Sequence, residues 1–355
     1  MSFFRFDNIR IRGISAFVPE REINLLDDPE LYGGDQKRID RVVQSSGFLK
    51  RRITDSSTTA SDLCFAAARD LLAGLAFDKT NIDALVFVSS TPDYLMPATA
   101  YVLHGRLGLG QDCIAMDVPQ ACPGYEFGIF QASMLIQSGC KNVLVLVGDT
   151  WSKFTDMFRD HTAPVFGDSG TATLVSYDAT AGTSYMNFHS DGTKFDVLLC
   201  NHGAFRNPVH RDDFYGDGGY KYEAHMNGGE VFSFAIEKIA PSIEDLLVMA
   251  GQDKSGVDYF VLHQANKYIL SNIALQLNVS PDKIPASVIS KYGNQCAASV
   301  PCVIADSLAK EVTVKEYRVV LSGFGAGLGW ANVLTDLKLD YCSEIKTYNR
   351  SDANE

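Results

Sequence analysis

The chain has 355 residues, 46% of them hydrophobic, and a formal charge of −12. This composition can fill one large core or two fused ones, and the acidic balance argues against a nucleic-acid-binding surface. No apolar run approaches the roughly 20 residues of a membrane span, and the first residues, MSFFRFDNIRIRG, lack the features of a signal peptide. We therefore expect a soluble, cytoplasmic protein.

The first half alternates short apolar strands with helical patterns. The predicted strands cover 83–91, 113–118, 142–149 and 171–178, with predicted helices over 98–108 and 125–139. This alternation predicts parallel strands, crossover helices and a sheet covered on both faces.

The middle of the chain, 179–228, is rich in Gly, His, Asp and Tyr and has no clean period, which predicts a long surface excursion. The α/β pattern resumes afterwards, so we divide the chain into a half over 1–178, a half over 179–340 that includes the excursion, and a polar tail over 341–355. The two halves have similar lengths, which suggests a duplicated architecture.

The eight cysteines show no CxxC pair and no framework spacing. We therefore expect reduced thiols, with neither disulfides nor a metal site, and core positions for most of them. Cys122, in the stretch DVPQACPGYEFG, differs because it lies between a predicted strand and a predicted helix. A helix N-terminus favours a thiolate, although a buried thiol in a turn explains the same pattern.

Three further motifs also follow predicted strands or Gly-flanked turns. His263 begins HQAN at the end of an apolar strand, and Asn294 lies in the Gly-flanked segment YGNQCAAS. The segment 322–330, SGFGAGLGW, is a tight turn or a loop that brings its backbone close to a substrate oxygen. It lacks the Lys-Ser/Thr of a nucleotide-binding loop. Together with Cys122, these motifs are typical of a thiolate nucleophile, two hydrogen-bonding partners and a backbone oxyanion site.

The sequence resembles the 3-oxoacyl-[acyl-carrier-protein] synthase III family of the thiolase superfamily. The resemblance is carried, in the family's order, by ACPG, FGDSGTA (166–172), MNGGEVFSFA (226–235), HQAN, GNQCAAS and GFGAGLGW. It implies an α/β, thiolase-like, five-layered αβαβα fold built from two related halves, usually as a homodimer. It also implies coenzyme A or carrier-protein thioesters as substrates and no bound cofactor.

Carried over residue by residue, the resemblance implies that Cys122 is acylated while its own N–H and that of Gly327 hold the oxyanion. His263 and Asn294 would donate hydrogen bonds to a malonyl-type thioester, stabilise the enolate left by decarboxylation, and so direct its attack on acyl-Cys122. The resemblance also places Phe324 in the substrate site.

Several positions depart from the family pattern. Arg41 stands where a Trp commonly stacks on the adenine of coenzyme A, so a carrier-protein donor becomes plausible, although Arg also stacks on rings. Met96 lies near the position that often gates the acyl pocket across the dimer. The basic residues expected to dock an acidic carrier are Lys50, Arg51, Arg52 and Lys267. These departures suggest a specialised lipid, polyketide or surface-glycan-associated pathway.

Three rival functions remain. A papain-like protease also has Cys, His and Asn in this order, but its local cysteine signature is missing here. Acyl transfer to an alcohol or amine without decarboxylation would use Cys122 and His263, whereas Asn294 favours condensation. A non-catalytic partner subunit has no need to retain all three residues.

Overall fold

A computed structural model describes residues 2–27, 35–153, 165–213 and 224–349. The strands are β1 (Ser2–Phe6), β2 (Ile9–Pro19), β3 (Glu22–Asn24), β4 (Lys50–Arg52), β5 (Ala84–Val88), β6 (Ile114–Val118), β7 (Asn142–Asp149), β8 (Ser169–Tyr177), β9 (Ser184–Ser190), β10 (Leu198–Leu199), β11 (His225–Met226), β12 (Tyr259–Leu262), β13 (Tyr317–Gly325), β14 (Gly329–Leu337), β15 (Tyr341–Cys342) and β16 (Lys346–Tyr348).

The helices are α1 (Gln36–Ser46), α2 (Ala60–Gly74), α3 (Thr99–Leu107), α4 (Gly124–Gln137), α5 (Gly228–Met249), α6 (Lys267–Leu277), α7 (Ser287–Tyr292), α8 (Ser299–Val303) and α9 (Ala309–Val314). A π-helical turn over Ile304–Leu308 joins α8 to α9. In the part of the chain described here, none of the helices combines the length and the apolar character that crossing a membrane requires.

Two large sheets organise the fold. The first has the order β15-β2-β8-β7-β5-β6, with β16 also paired to β2, and the second has the order β1-β9-β14-β13-β12. The predicted parallel pairing holds between β5 and both β6 and β7, whereas β8 runs antiparallel to β7. In the second sheet β12 is parallel to β13.

Each sheet buries both faces because apolar residues occupy successive positions along its strands. In β7, Val143, Val145 and Val147 join the core between the two sheets, while Leu144 and Leu146 join the core on the outer face. Helices α2 and α3 cover that outer face.

Helix α4 and the α8–α9 segment lie between the sheets, since α4 contacts β5 and β7 as well as β13 and β14. Helices α5 and α6 cover the far face of the second sheet. The order helix, sheet, helix, sheet, helix is the predicted five-layered arrangement.

The boundaries of the two halves differ from the prediction of 1–178 and 179–340. Strand β1 pairs with β9 in the second sheet, while β15 and β16 pair with β2 in the first. The two ends of the chain therefore cross to the opposite half, and the described part of the predicted polar tail is built into a sheet.

The predicted excursion over 179–228 was also too long. Strand β9 lies inside the second sheet between β1 and β14, and its Met186 and Asn187 are fully buried. Beyond β9, the described residues contain short turns and the ribbon of β10 and β11. Residues 214–223 of the predicted excursion lie outside the described part of the chain.

Candidate active site

Cys122 lies between β6 and α4, as the sequence predicts. It directly precedes Pro123, the N-cap of α4, and only 6% of its surface is exposed. The first turn of a helix presents unpaired N–H groups and the positive end of the helix dipole. This position therefore favours a negatively charged sulfur.

His263 follows β12, the edge strand of the second sheet, and is buried. Its N–H donates to the carbonyl of Ser322 at 2.7 Å, which fixes the chain beside β13. Its side chain lies close enough to the Cys122 thiol to lower the pKa of that thiol. Cys122 and His263 thus follow edge strands of different sheets, and the site lies between the two sheets.

The hydroxyl of Ser299 fixes the His263 ring. The Ser299 Oγ lies 2.8 Å from His263 Nδ1 and 2.8 Å from the Cys296 carbonyl, to which it donates. By turning, the same hydroxyl can instead donate to Nδ1, which leaves the proton of neutral His263 on Nε2. Ser299 therefore decides whether Nε2 accepts or donates a hydrogen bond.

Asn294 lies in the turn after α7. Its N–H donates to the carbonyl of Val165 at 2.7 Å. Its side-chain oxygen accepts from the N–H of Cys296 at 3.0 Å. With that oxygen engaged, the polar group that the amide offers to a ligand is its NH₂ donor.

Cys296 is a site residue that the sequence analysis does not single out, because its apolar surroundings resemble those of the core cysteines. Its Sγ lies 3.8 Å from the Sγ of Cys122, and its φ of 50° is in the left-handed region that side chains rarely adopt. The available signal was its position two residues after Asn294, in the motif that carried the resemblance.

The two sulfurs have opposite acid–base character. Hydrogen bonding with Cys296, then the charge and hydrogen bond of His263, lower the pKa of the Cys122 thiol well below its usual range, against the effect of burial. The same hydrogen bond, together with burial, raises the pKa of Cys296 well above its usual range. These directions, with the position of Cys122 before the α4 N-terminus, favour Cys122 as the thiolate and Cys296 as the donor.

The loop between β13 and β14 closes the site. A side chain at Gly325 would place its Cβ 2.7 Å from the Cβ and 2.8 Å from the Sγ of Cys122, so glycine permits the approach. The backbone group that reaches the Cys122 thiol from this loop is that of Ala326. Gly327, the predicted oxyanion donor, is the next residue along the chain, so Ala326 is a further candidate for this role.

A cavity of about 260 Å³ opens beside Cys122. It is lined mainly by apolar side chains, which suits an acyl group. The lining residues are Ser90, Ala121, Cys122, Trp151, Phe166, Leu198, Leu199, Cys200, Cys296 and Ala326.

Two buried carboxyl groups near the site were not predicted. Burial raises the pKa of Glu126 well above its usual range, and both of its carboxyl oxygens lack a hydrogen-bond partner among the described residues. A neutral Glu126 adds no charge that would oppose the thiolate one helical turn earlier. Asp149, at the end of β7, lies beside Cys296, and burial raises its pKa to about 6.

Comparison with known proteins identifies the family of the chain. A family model described as 3-oxoacyl-[acyl-carrier-protein] synthase III matches residues 116–192, and the model of the same family's C-terminal region matches residues 247–337. A Campylobacter jejuni protein, provisionally named 3-oxoacyl-[acyl-carrier-protein] synthase 3, is 36% identical over 354 residues, which cover 98% of this chain and 99% of that protein. The chain belongs to the synthase III family.

Other members of the family are similar in sequence and in structure. The beta-ketoacyl-[acyl-carrier-protein] synthase III of Streptococcus mutans is 32% identical over 300 residues, 83% of this chain and 90% of that protein. The crystal structure of a 3-oxoacyl-(acyl-carrier protein) synthase from Burkholderia xenovorans superposes with a TM-score of 0.90 at 33% identity, covering 98% of this chain and 99% of that one. The thiolase-like fold is thereby confirmed.

The residues predicted to bind substrate in this synthase III family member do not gather at the cavity. Phe324 is buried against the His263 ring, edge to face, with centroids 5.4 Å apart. Met96 is 86% exposed on the loop before α3, and Arg41 is exposed on α1, where its Nε donates to the Lys37 carbonyl at 3.1 Å. Phe324 thus supports His263 and does not line the acyl cavity.

The predicted docking patch is only partly a surface. Arg51 is 5% exposed because alternate residues of β4 face opposite sides. Lys50 and Arg52 both pair with Glu22, at 2.7 and 2.9 Å. Lys267 is exposed at the start of α6. The prediction of three adjacent cations open to a carrier was therefore wrong for Arg51.

Proposed function

We propose that this protein condenses an acyl thioester with a malonyl-type thioester, with loss of carbon dioxide, through an acyl-Cys122 intermediate. The observation that supports this most is the set of contacts that joins His263 and Asn294 to Cys122. His263 approaches the Cys122 thiol. The Asn294 oxygen accepts from the N–H of Cys296, whose sulfur lies 3.8 Å from that of Cys122. A thiolate, two neutral donors and a backbone N–H are the groups that this reaction needs.

Acylation begins when the Cys122 sulfur attacks the carbonyl carbon of the acyl donor. The backbone N–H groups of Cys122 and Ala326 stabilise the negative oxygen that develops. The carbon–sulfur bond to the donor breaks, and the donor leaves as a thiol by taking the proton that His263 received from Cys122. His263 is then neutral for the next step. The acyl chain then occupies the cavity.

Condensation follows when the malonyl-type thioester loses carbon dioxide and its carbonyl becomes an enolate oxygen. His263, with Ser299 donating to its Nδ1, donates from Nε2 to that oxygen, and the Asn294 NH₂ donates beside it. The enolate carbon attacks the acyl carbon, and the bond to Cys122 breaks to restore the thiolate. Neutral donors suit this step because they hold the oxygen without protonating it.

The donor is a carrier-protein or coenzyme A thioester, and Arg41 in place of Trp supports the carrier form. We further propose a homodimer in which a second copy covers the exposed loop before α3. Three neighbouring side chains there, Tyr94, Leu95 and Met96, are 59%, 74% and 86% exposed. Monomeric proteins rarely expose such a patch. Met96 would then reach the acyl pocket of the other copy and suit a specialised acyl group.

The experiment that tests this function follows both half-reactions. Intact-mass analysis with acyl-coenzyme A and acyl-carrier donors should show one acyl adduct on the wild type and on Cys200→Ala, and none on Cys122→Ala. Asn294→Ala should keep the adduct and lose condensation by about 10²–10³, since it removes one oxyanion donor. Product formation by Asn294→Ala at the wild-type rate would contradict the proposal.

The same experiment separates the rival function. If the wild type forms esters or amides from the acyl adduct and releases no carbon dioxide from a malonyl thioester, the protein is a simple acyltransferase. Acylation of a cysteine other than Cys122 would overturn the site itself.

A further inference from the structure

Cys296, the second cysteine of the site, takes part in none of the condensation steps proposed above. A nucleophile needs one sulfur, yet Cys122 and Cys296 both line the cavity, with 3.8 Å between their sulfurs. A disulfide requires a distance of about 2.05 Å between sulfurs. The two sulfurs therefore need to approach by roughly 1.8 Å, a shift within reach of side-chain rotation.

The two thiols also differ in the way that favours ordered oxidation. Thiolate character makes Cys122 the sulfur that reacts first with a peroxide. Cys296 is protonated chiefly because it donates to the Cys122 thiolate. Once the Cys122 sulfur is oxidised to an uncharged group, that restraint ends, and Cys296 becomes easier to deprotonate.

We propose that Cys122 and Cys296 form a reversible disulfide that switches the enzyme off under peroxide stress. This inference rests on the proposed function only in taking Cys122 as the nucleophile; the bond itself depends on the geometry of the pair. Hydrogen peroxide would modify the Cys122 sulfur, and a dithiol reductant would restore both free thiols.

The chemistry balances in two steps. The Cys122 thiolate attacks one oxygen of hydrogen peroxide, an S–O bond forms as the O–O bond breaks, and the hydroxide that leaves takes a proton to become water. Cys296 then gives up its proton and attacks the Cys122 sulfur. The S–S bond forms, the S–O bond breaks, and the leaving hydroxide takes that proton as a second water. Two thiols are oxidised and one peroxide is reduced.

The disulfide has two consequences. It removes the nucleophile, so acylation and condensation stop together. It also protects Cys122, because a sulfenic acid with no neighbouring thiol reacts further to the irreversible sulfinic and sulfonic acids. An acyl group on Cys122 blocks the first step, so a working enzyme supplied with donor resists oxidation.

The test uses the reduced, full-length protein treated with an equimolar amount of hydrogen peroxide. Free thiols are counted by a thiol reagent, and a digest without reductant is mapped by mass spectrometry. The number of free thiols in the wild type should fall by two from the initial eight. The digest should contain a Cys122–Cys296 cross-linked peptide. Acylation should be lost until a dithiol is added. Prior acylation should prevent the cross-link.

Matched variants sharpen the result. Cys200→Ser removes the exposed cysteine that lines the same cavity, and it should still form the cross-link. Cys296→Ser should give no cross-link, and at higher peroxide its Cys122 should be oxidised to sulfinic acid that a dithiol does not restore. A cross-link from Cys122 to any other cysteine, or sulfinic acid on wild-type Cys122 without a cross-link, would overturn the proposal.

Failure of this proposal is distinguishable from failure of the proposed function. The cross-link is read by mass and needs no turnover, so its absence in a protein that condenses thioesters refutes the switch alone. A cross-link in a protein that releases no carbon dioxide from malonyl thioesters refutes the condensation alone.

Discussion

At the scale of single residues, the site depends on the fully buried hydroxyl of Ser299. Ser299 lies within 2.8 Å of both His263 Nδ1 and the Cys296 carbonyl. Only one of these groups can take its proton at a time. The role of His263 as donor in condensation therefore depends on which way this hydroxyl points.

Replacing Ser299 with Ala should slow condensation by about 10- to 100-fold, because a buried polar group without its partner costs about 1–3 kcal/mol. The rate of Cys122 acylation should change less, since that step needs no hydrogen bond from neutral His263 to an enolate oxygen. Single-turnover kinetics of the two half-reactions measure this split. Ser133→Ala is the matched control, because Ser133 is equally buried but donates within its own helix, to Ile129. Equal losses in both half-reactions would indicate a structural role only.

Asp149 makes stability depend on pH. Burial raises its pKa to about 6, above the value near 3.9 of an unfolded Asp. The folded state therefore binds more protons between these values, and its free energy of unfolding falls as the pH rises from about 4 to 6. Four groups hold the carboxylate, among them the N–H of Ser90 at 2.8 Å and the Thr91 hydroxyl at 3.0 Å.

Asp149→Asn should remove this pH dependence while keeping an oxygen acceptor. Relative to wild type, the free energy of unfolding of the variant should rise by about 2 kcal/mol between pH 4 and pH 7, at about 1.36 kcal/mol per pKa unit. Urea unfolding at several pH values measures the difference. Asp178→Asn is the control. Hydrogen bonds from Thr180 lower the pKa of Asp178, so this substitution should change the pH dependence of the free energy of unfolding in the opposite direction. A difference that does not vary with pH would contradict the role assigned to Asp149.

At the scale of elements, the hairpin of β13 and β14 determines how closely the backbone approaches the nucleophile. Gly325 ends β13 directly against Cys122. A Cβ added at Gly329, the first residue of β14, would lie 3.6 Å from Pro123 Cγ, which is an ordinary contact. The two glycines pair with each other across the hairpin. They therefore form a matched pair that differs in distance from the thiol.

Gly325→Ala should reduce the rate of Cys122 acylation by about two orders of magnitude, because displacement of a reacting group by about 1 Å costs about that much. Gly329→Ala should retain most of the rate. Circular dichroism and thermal unfolding confirm that both variants fold, and intact-mass kinetics give the rates. Similar rates for the two variants would show that the approach of Gly325 is not required.

The order of most elements along the chain was predictable from sequence, but the pairing of the strands into sheets was predictable only in part. The alternation of apolar strands and helical patterns located β5, β6, β7 and α4 within a few residues. The pattern gave no sign that β9 belongs in the second sheet, because its residue Asn187 is polar and reads as exposed. In the structure Asn187 is buried and donates a hydrogen bond to the carbonyl of Ser242, 55 residues away. Pairing over such distances depends on tertiary contacts that local periodicity does not contain.

The site was predictable in its motif residues and not in its accessory residues. Cys122, His263 and Asn294 each carry a recognisable pattern, and the structure brings them together. Cys296 and Ser299 lie in the same motif, but their roles depend on distances to residues far along the chain. Arg51 was misplaced because a run of three basic residues gives no indication of which one faces inward until the strand and its partner are known.

At the scale of the whole molecule, the two ends of the chain join the opposite halves. Tyr341 and Lys346 both contact Asp70 of α2, and Tyr348 is buried. The C-terminal segment therefore closes the first sheet, although composition alone suggested a polar tail. The second sheet therefore contains the first strand of the chain, and the first sheet contains the last two strands.

The acidic charge of the whole chain sets the conditions for carrier docking. A carrier protein is acidic, and the net charge here is −12, so the two repel at long range and any attraction is local. Lys50 and Arg52 are partly neutralised by Glu22. Lys267 lies at the surface where α6 meets the end of α1, with its Cβ 2.8 Å from the position that a Gly47 side chain would occupy.

We therefore expect carrier-bound donors to be preferred over coenzyme A donors at low salt, and the preference to shrink as salt rises. The Debye length falls from about 30 Å at 0.01 M to about 10 Å at 0.1 M, which weakens steering by exposed charges. Lys267→Glu should raise the KM for the carrier form and leave that for coenzyme A nearly unchanged. Arg51 is unsuitable for this test, because reversing a buried charge destabilises the fold.

Lys310→Glu is the matched control, since Lys310 is 85% exposed on α9 and pairs with Glu344 of the C-terminal segment. It changes the net charge by the same amount at a different surface. Steady-state kinetics with both donors across a salt series measure the effect. If the two variants raise the KM for the carrier equally, only net charge matters, and Lys267 is not part of a docking surface. If salt affects both donors alike in the wild type and Lys267→Glu changes neither KM, there is no carrier-specific attraction at this surface.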